Sequence, residues 1–116
     1  MIKISKEFTF NSAHQLKWRN EHTYKLIVSV WGELAEDGIV MDYGDLEFTV
    51  NNLILKKVDH KYLNDLFDNP TAELMVIKFY EVIKIEMQKY FSNIKKIGIE
   101  LKETPTSSAY YEQNIY

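Results

Sequence analysis

The amino-acid sequence predicts an α+β fold: a four-stranded antiparallel sheet with two helices on one face, in the order β-β-α-α-β-β. Three observations lead there. Apolar and polar residues alternate near both ends of the chain, which is the two-residue period of half-buried strands. Between these ends lie two stretches in which apolar residues recur at the helical period. The two helical stretches are adjacent in sequence, so no strand–helix–strand crossover separates the strands of a pair.

In the first strand Ile2, Ile4, Phe8 and Phe10 alternate with Lys3, Thr9 and Asn11, and the same phase carried on by twos reaches Ser12 and His14. A second strand runs over residues 22–31, with His22, Tyr24, Leu26, Val28 and Val30 in phase. Residues 15–21 join the two as a hairpin loop. Glu36-Asp37-Gly38 reads as a turn. The first helix is marked by Leu46, Val50, Leu53, Ile54 and Lys57, with Asp42 or Asp45 as its cap. The second starts at Asp68-Asn69-Pro70-Thr71, with Asp68 or Asn69 as N-cap and Pro70 in the first turn, and runs about five turns to Ser92-Asn93. Ile97, Ile99 and Leu101 alternate along a third strand whose apolar face ends at Glu103, and Pro105 stops its ladder. Residues 107–115 make the last strand.

The 116 residues suit one domain, which at this length buries roughly 65% of its unfolded surface. A composition 46% apolar and 27% charged is that of a globular chain. A net charge of −3 gives no general attraction to nucleic acid. No apolar run is long enough for a signal peptide or a membrane span, so no membrane partner is expected. With no cysteine the chain has no disulfide, thiolate ligand or thiolate nucleophile, and it fits a cytoplasmic setting.

Chemistry concentrates around the three histidines. His14 and His22 end and begin paired strands, in phase with the buried face and within reach of one cation. Two neutral imidazoles suit zinc, although a catalytic zinc normally has a third protein ligand and one open position. The spacing alone is met more simply by two structural histidines bonded to backbone. Asp59-His60 lies between the helices and reads either as a carboxylate–imidazole base or as a histidine at a helix end beside an exposed aspartate. Glu103, at the end of a buried strand face, suits the paired N–H donors of a guanidine-like ring edge, or else points to solvent. Thr71 and Glu73 open the second helix, where free backbone N–H groups serve a ligand acceptor or are simply capped.

In order, Phe8-Thr-Phe-Asn-Ser-Ala-His14, His22-Thr-Tyr24, Asp37-Gly-Ile-Val-Met-Asp42-Tyr43, Asp59-His60-Lys-Tyr-Leu-Asn64, Asn69-Pro-Thr-Ala-Glu73 and Lys102-Glu103-Thr104 resemble the 6-pyruvoyl-tetrahydropterin synthase family, which includes the 6-carboxy-tetrahydropterin synthases. The resemblance spans nearly the whole chain. It implies the tunnelling fold, in which three four-stranded sheets close a twelve-stranded barrel and two trimers stack as a homo-hexamer with sites at subunit interfaces. It implies zinc held by His14 and His22, a pterin anchored by Glu103 with the turn at Thr71 and Glu73, and a proton relay through Asp59 and His60. The implied reaction eliminates triphosphate from dihydroneopterin triphosphate.

Two departures qualify these implications. The family's His-Gly-His reads Asn20-Glu21-His22 here, so one imidazole is missing, and the preceding loop is short and lacks the family's catalytic cysteine. Some relatives use glutamate in place of that cysteine, but Glu21 does not occupy the matching place. Three expectations follow: a pterin-binding protein with weak or altered lyase activity, an inactive member serving as a structural or regulatory subunit, or a site in which Glu21 supplies the missing ligand.

Overall fold

The computed structural model describes residues 1–15 and 19–116, Arg19 by its backbone alone. Strands β1 (Ile2–Gln15) and β2 (Arg19–Gly32) form a long antiparallel hairpin. A helical rod follows, made of α1 (Tyr43–Val50), a π-helical segment (Asn51–Leu55) and α2 (Lys56–Val58). Then come β3 (Lys61–Tyr62), α3 (Ala72–Tyr90), β4 (Ile94–Thr104) and β5 (Ser107–Asn114). Five strands lie in the order β3-β1-β2-β4-β5. The expected four are all there and antiparallel; the fifth, β3, adds a two-residue parallel pairing to the outer edge of β1. No side-chain period announces a strand that short. Among the described residues no helix is long and apolar enough to cross a membrane.

One face of the sheet carries the core. Tyr24, Leu26, Val28 and Val30 of β2 and Ile97, Ile99 and Leu101 of β4 are buried against Met75, Val76, Phe79 and Ile83 of α3. Each buried side chain of this size contributes about 1.5–3 kcal/mol relative to exposure, so the alternating pattern decides which face turns inward.

Three local expectations are corrected. The hairpin ladder continues to Gln15 paired with Arg19, so the loop is shorter than residues 15–21, and its remainder, residues 16–18, lies outside the described residues. The N-cap of α3 is Thr71, whose hydroxyl accepts the Leu74 N–H at 3.2 Å, and neither Asp68 nor Asn69 fills that place. Pro70 therefore precedes the helix. In the first rod the π segment adds a residue to one turn, so its buried set is Leu46, Thr49, Val50, Ile54, Leu55 and Val58, while Lys57 is exposed. Of the two candidate caps there, Asp42 accepts from the N–H groups of Gly44 and Asp45. At the expected turn Gly38 has φ 83°, a conformation that glycine adopts without strain.

Candidate metal centre and ligand pocket

Three neighbouring strands, β1, β2 and β4, each bring one polar side chain to the same end of the core face. In β1 the buried phase Phe10, Ser12 continues to His14, which is only 2% exposed. In β2 it runs outward from Leu26 through Tyr24 to His22. In β4 it runs from Leu101 to Glu103.

His14 pairs with Asn20 and His22 with Ser12, so the two histidines are diagonal neighbours and not the directly opposed pair that the hairpin reading implied. The offset suits them to stack: their rings lie 5.0 Å apart and 15° from parallel. Glu103 Oε1 is 3.3 Å from His14 Nε2 and 3.4 Å from His22 Nε2. Ligand atoms of these three residues all fall within 4.8 Å of one another, and they are the one such group of three among the described residues.

His14 is held from behind. Its Nδ1 lies 2.9 Å from the hydroxyl of Tyr24, a fully buried residue whose ring stacks on Phe10. A hydroxyl both donates and accepts, so Tyr24 serves either imidazole tautomer. Burial lowers the His14 pKa, with His22 nearby acting the same way and Glu103 opposing it. The imidazole is thus kept neutral, the form that binds metal. Burial also raises the Tyr24 pKa, and the Glu103 charge adds to the effect, so its proton is retained. Tyr24 is not among the candidate site residues that the sequence offers; its in-phase position two residues beyond His22 is the signal that it shares the site.

The segment after α2 ties down the outer edge of β1. Asp59 Oδ1 accepts the Asn11 N–H at 2.9 Å, and the His60 N–H donates to the Asn11 carbonyl at 2.6 Å. Four residues on, the Asn64 amide brackets Gln15, accepting its N–H at 2.7 Å and donating to its carbonyl at 2.9 Å. The Ser12 hydroxyl donates to the Val58 carbonyl. Asp59 and Asn64 therefore clamp both sides of His14. His60 has φ 57°, the left-handed region, and is three-quarters exposed. Its Nε2 stands 3.6 Å from Asp59 Oδ2, outside hydrogen-bond reach.

Two recesses flank these groups. One, of about 600 Å³, is lined by Tyr24, Lys102, Glu103 and Pro105, the other, of about 470 Å³, by Asn11, Ser12, His60 and Tyr62; His22 and Glu21 line both. Glu103 and His60 thus open onto different recesses of the single chain. Thr71 and Glu73 line neither. Glu21 pairs with Ala13, out of phase with His14 and His22, and is not in the metal-competent group, which speaks against it as the missing ligand.

Residues 3–114 match the family model described as 6-pyruvoyl tetrahydropterin synthase. The chain is 33% identical to the 6-carboxy-5,6,7,8-tetrahydropterin synthase of Haemophilus influenzae, over 97% of this chain and all of the relative. It is 37% identical to the dihydroneopterin monophosphate aldolase of Pyrococcus furiosus over 66% of this chain and 69% of that one. Its fold superposes on the 6-pyruvoyl tetrahydropterin synthase of Plasmodium falciparum with a TM-score of 0.81 at 20% identity, covering 97% of this chain and 98% of that one.

Proposed function

Because the chain belongs to the 6-pyruvoyl tetrahydropterin synthase family, we propose that it binds a reduced pterin at the strand-end site and acts on dihydroneopterin triphosphate as a carbon–oxygen lyase of weak or altered activity. The observation that carries this reading is the convergence of His14, His22 and Glu103 from three strands beside a recess large enough for a bicyclic ring.

In this reading His14 and His22 hold a zinc ion. The donor chemistry fits, since His14 is neutral, buried and oriented through Tyr24. When bound, zinc supplies Lewis acidity toward the oxygens of the substrate side chain. Glu103 accepts N–H bonds from the ring edge, a charge-assisted contact contributing roughly 1.5–3 kcal/mol. His60 takes up a proton at its imidazole, with its backbone fixed on Asn11 and the Asp59 charge beside it. Thr71 and Glu73 belong to the ligand-holding set through a neighbouring subunit. The assembly proposed is a homo-hexamer, a dimer of trimers, in which adjacent sheets join the two recesses; the sheet face away from α3 and the outer edge of β5 are the surfaces that would close. A cytoplasmic location belongs to the same reading.

With no cysteine in the chain, the proton relay lacks a thiolate. That absence, with the exposure of His60, favours a second reading: an inactive member acting as a structural or regulatory subunit. One experiment separates the two. Purified protein is titrated with a reduced pterin and then incubated with zinc and dihydroneopterin triphosphate while triphosphate release is followed. Saturable binding with release supports the lyase, and binding without release supports the second reading. Absence of binding refutes the pocket.

A further inference from the structure

We propose that Glu103 is itself the third protein ligand of the metal ion held by His14 and His22, a proposal that rests on the reading of this site as a metal centre. The distances fit this role. A charge-assisted N–H···O bond is about 2.7–2.9 Å long. Glu103 Oε1 instead stands 3.3 and 3.4 Å from the two Nε2 atoms, nearly equidistant and too far for either bond to be good. Zn–N and Zn–O bonds of about 2.0–2.2 Å give tetrahedral ligand–ligand edges of ~3.4 Å. The two contacts are therefore spaced as ligands around a shared ion.

The backbone at Glu103 supports the same role. The β4–β5 register shifts between Lys102 and Thr104, so Glu103 sits at a bulge. A bulge bends its strand locally and re-aims a side chain. Here the strand that is re-aimed adjoins β2, which carries His22. Two imidazoles and one carboxylate make an established catalytic zinc set that leaves a fourth position for water or substrate. A carboxylate that ligates through one oxygen retains acceptor capacity on the other.

The test uses zinc alone, with no pterin. Metal-stripped wild-type protein is titrated against a chromophoric chelator, beside Glu103→Gln, Glu103→His and Glu21→Gln. The wild type takes up one zinc per chain. Loss of a direct ligand costs more than the loss of an outer partner, so Glu103→Gln weakens binding by about 100-fold or more. Glu103→His, which offers an imidazole, restores much of it, and Glu21→Gln binds as the wild type. Melting of each metal-free variant checks the fold, and zinc raises the wild-type Tm but not that of Glu103→Gln. Unchanged zinc affinity in Glu103→Gln overturns this proposal and leaves the metal centre standing. No zinc uptake by the wild type overturns both.

Discussion

At the residue scale, the site depends on one buried imidazole and the hydroxyl behind it. Removing the hydroxyl in Tyr24→Phe leaves His14 Nδ1 without its partner inside the fold. That change should cost about 1–3 kcal/mol in urea unfolding and weaken zinc binding about 10–100-fold by chelator competition. Unchanged affinity would mean that the ring is oriented by something else. Glu103 was legible in the sequence as an in-phase position, because Ile97, Ile99 and Leu101 count directly to it. Its contact with both histidines was not, because a bulge changes where a side chain points without changing the residue pattern. Asp59 and His60 were legible as chemistry, yet the dominant observed contact of Asp59 is with the Asn11 backbone, a pairing across 48 residues that no local spacing reveals.

At the element scale, β3 and the residues around it position β1 as much as they add to the sheet. Asn64→Ala removes two backbone bonds at Gln15, next to His14. It should lower stability by about 1–2 kcal/mol and weaken zinc binding without removing a ligand; an unchanged unfolding midpoint would show that the bracket contributes nothing. On the sheet face away from the helices, Glu112 of β5 accepts from Lys96 and from the Tyr110 hydroxyl, and these contacts lower its pKa below the ordinary 4.5. A carboxyl whose folded pKa is depressed contributes stability above its unfolded value and loses it as pH falls through the folded one. The wild type should therefore lose stability below pH 4.5 more steeply than Glu112→Gln, measured as urea midpoints across pH 7 to 3. The paired strands were legible because their period is unbroken. The first helical rod was legible as far as Leu46, Val50 and Ile54, which are buried as expected, but not at Lys57, because a π turn inserts a residue that helical counting cannot anticipate.

At the scale of the whole molecule, the chain is elongated, 51 by 25 by 23 Å, with long strands covered by helices on one face. The proposed hexamer covers the second face, and light scattering on the eluting protein should give about six times the 13.8 kDa chain mass; a monomer at micromolar concentration would contradict it. Its interfaces leave no local period, which is why they came from family resemblance and not from residue spacing. The central claim, that strands distant in sequence build one metal-centred pocket, is tested most directly by zinc-edge anomalous scattering from crystals grown with zinc. Such crystals should show one peak per chain, within bonding distance of His14 Nε2, His22 Nε2 and a Glu103 carboxylate oxygen. A fully zinc-equilibrated crystal with no peak there, or with Glu103 turned to solvent, would contradict it.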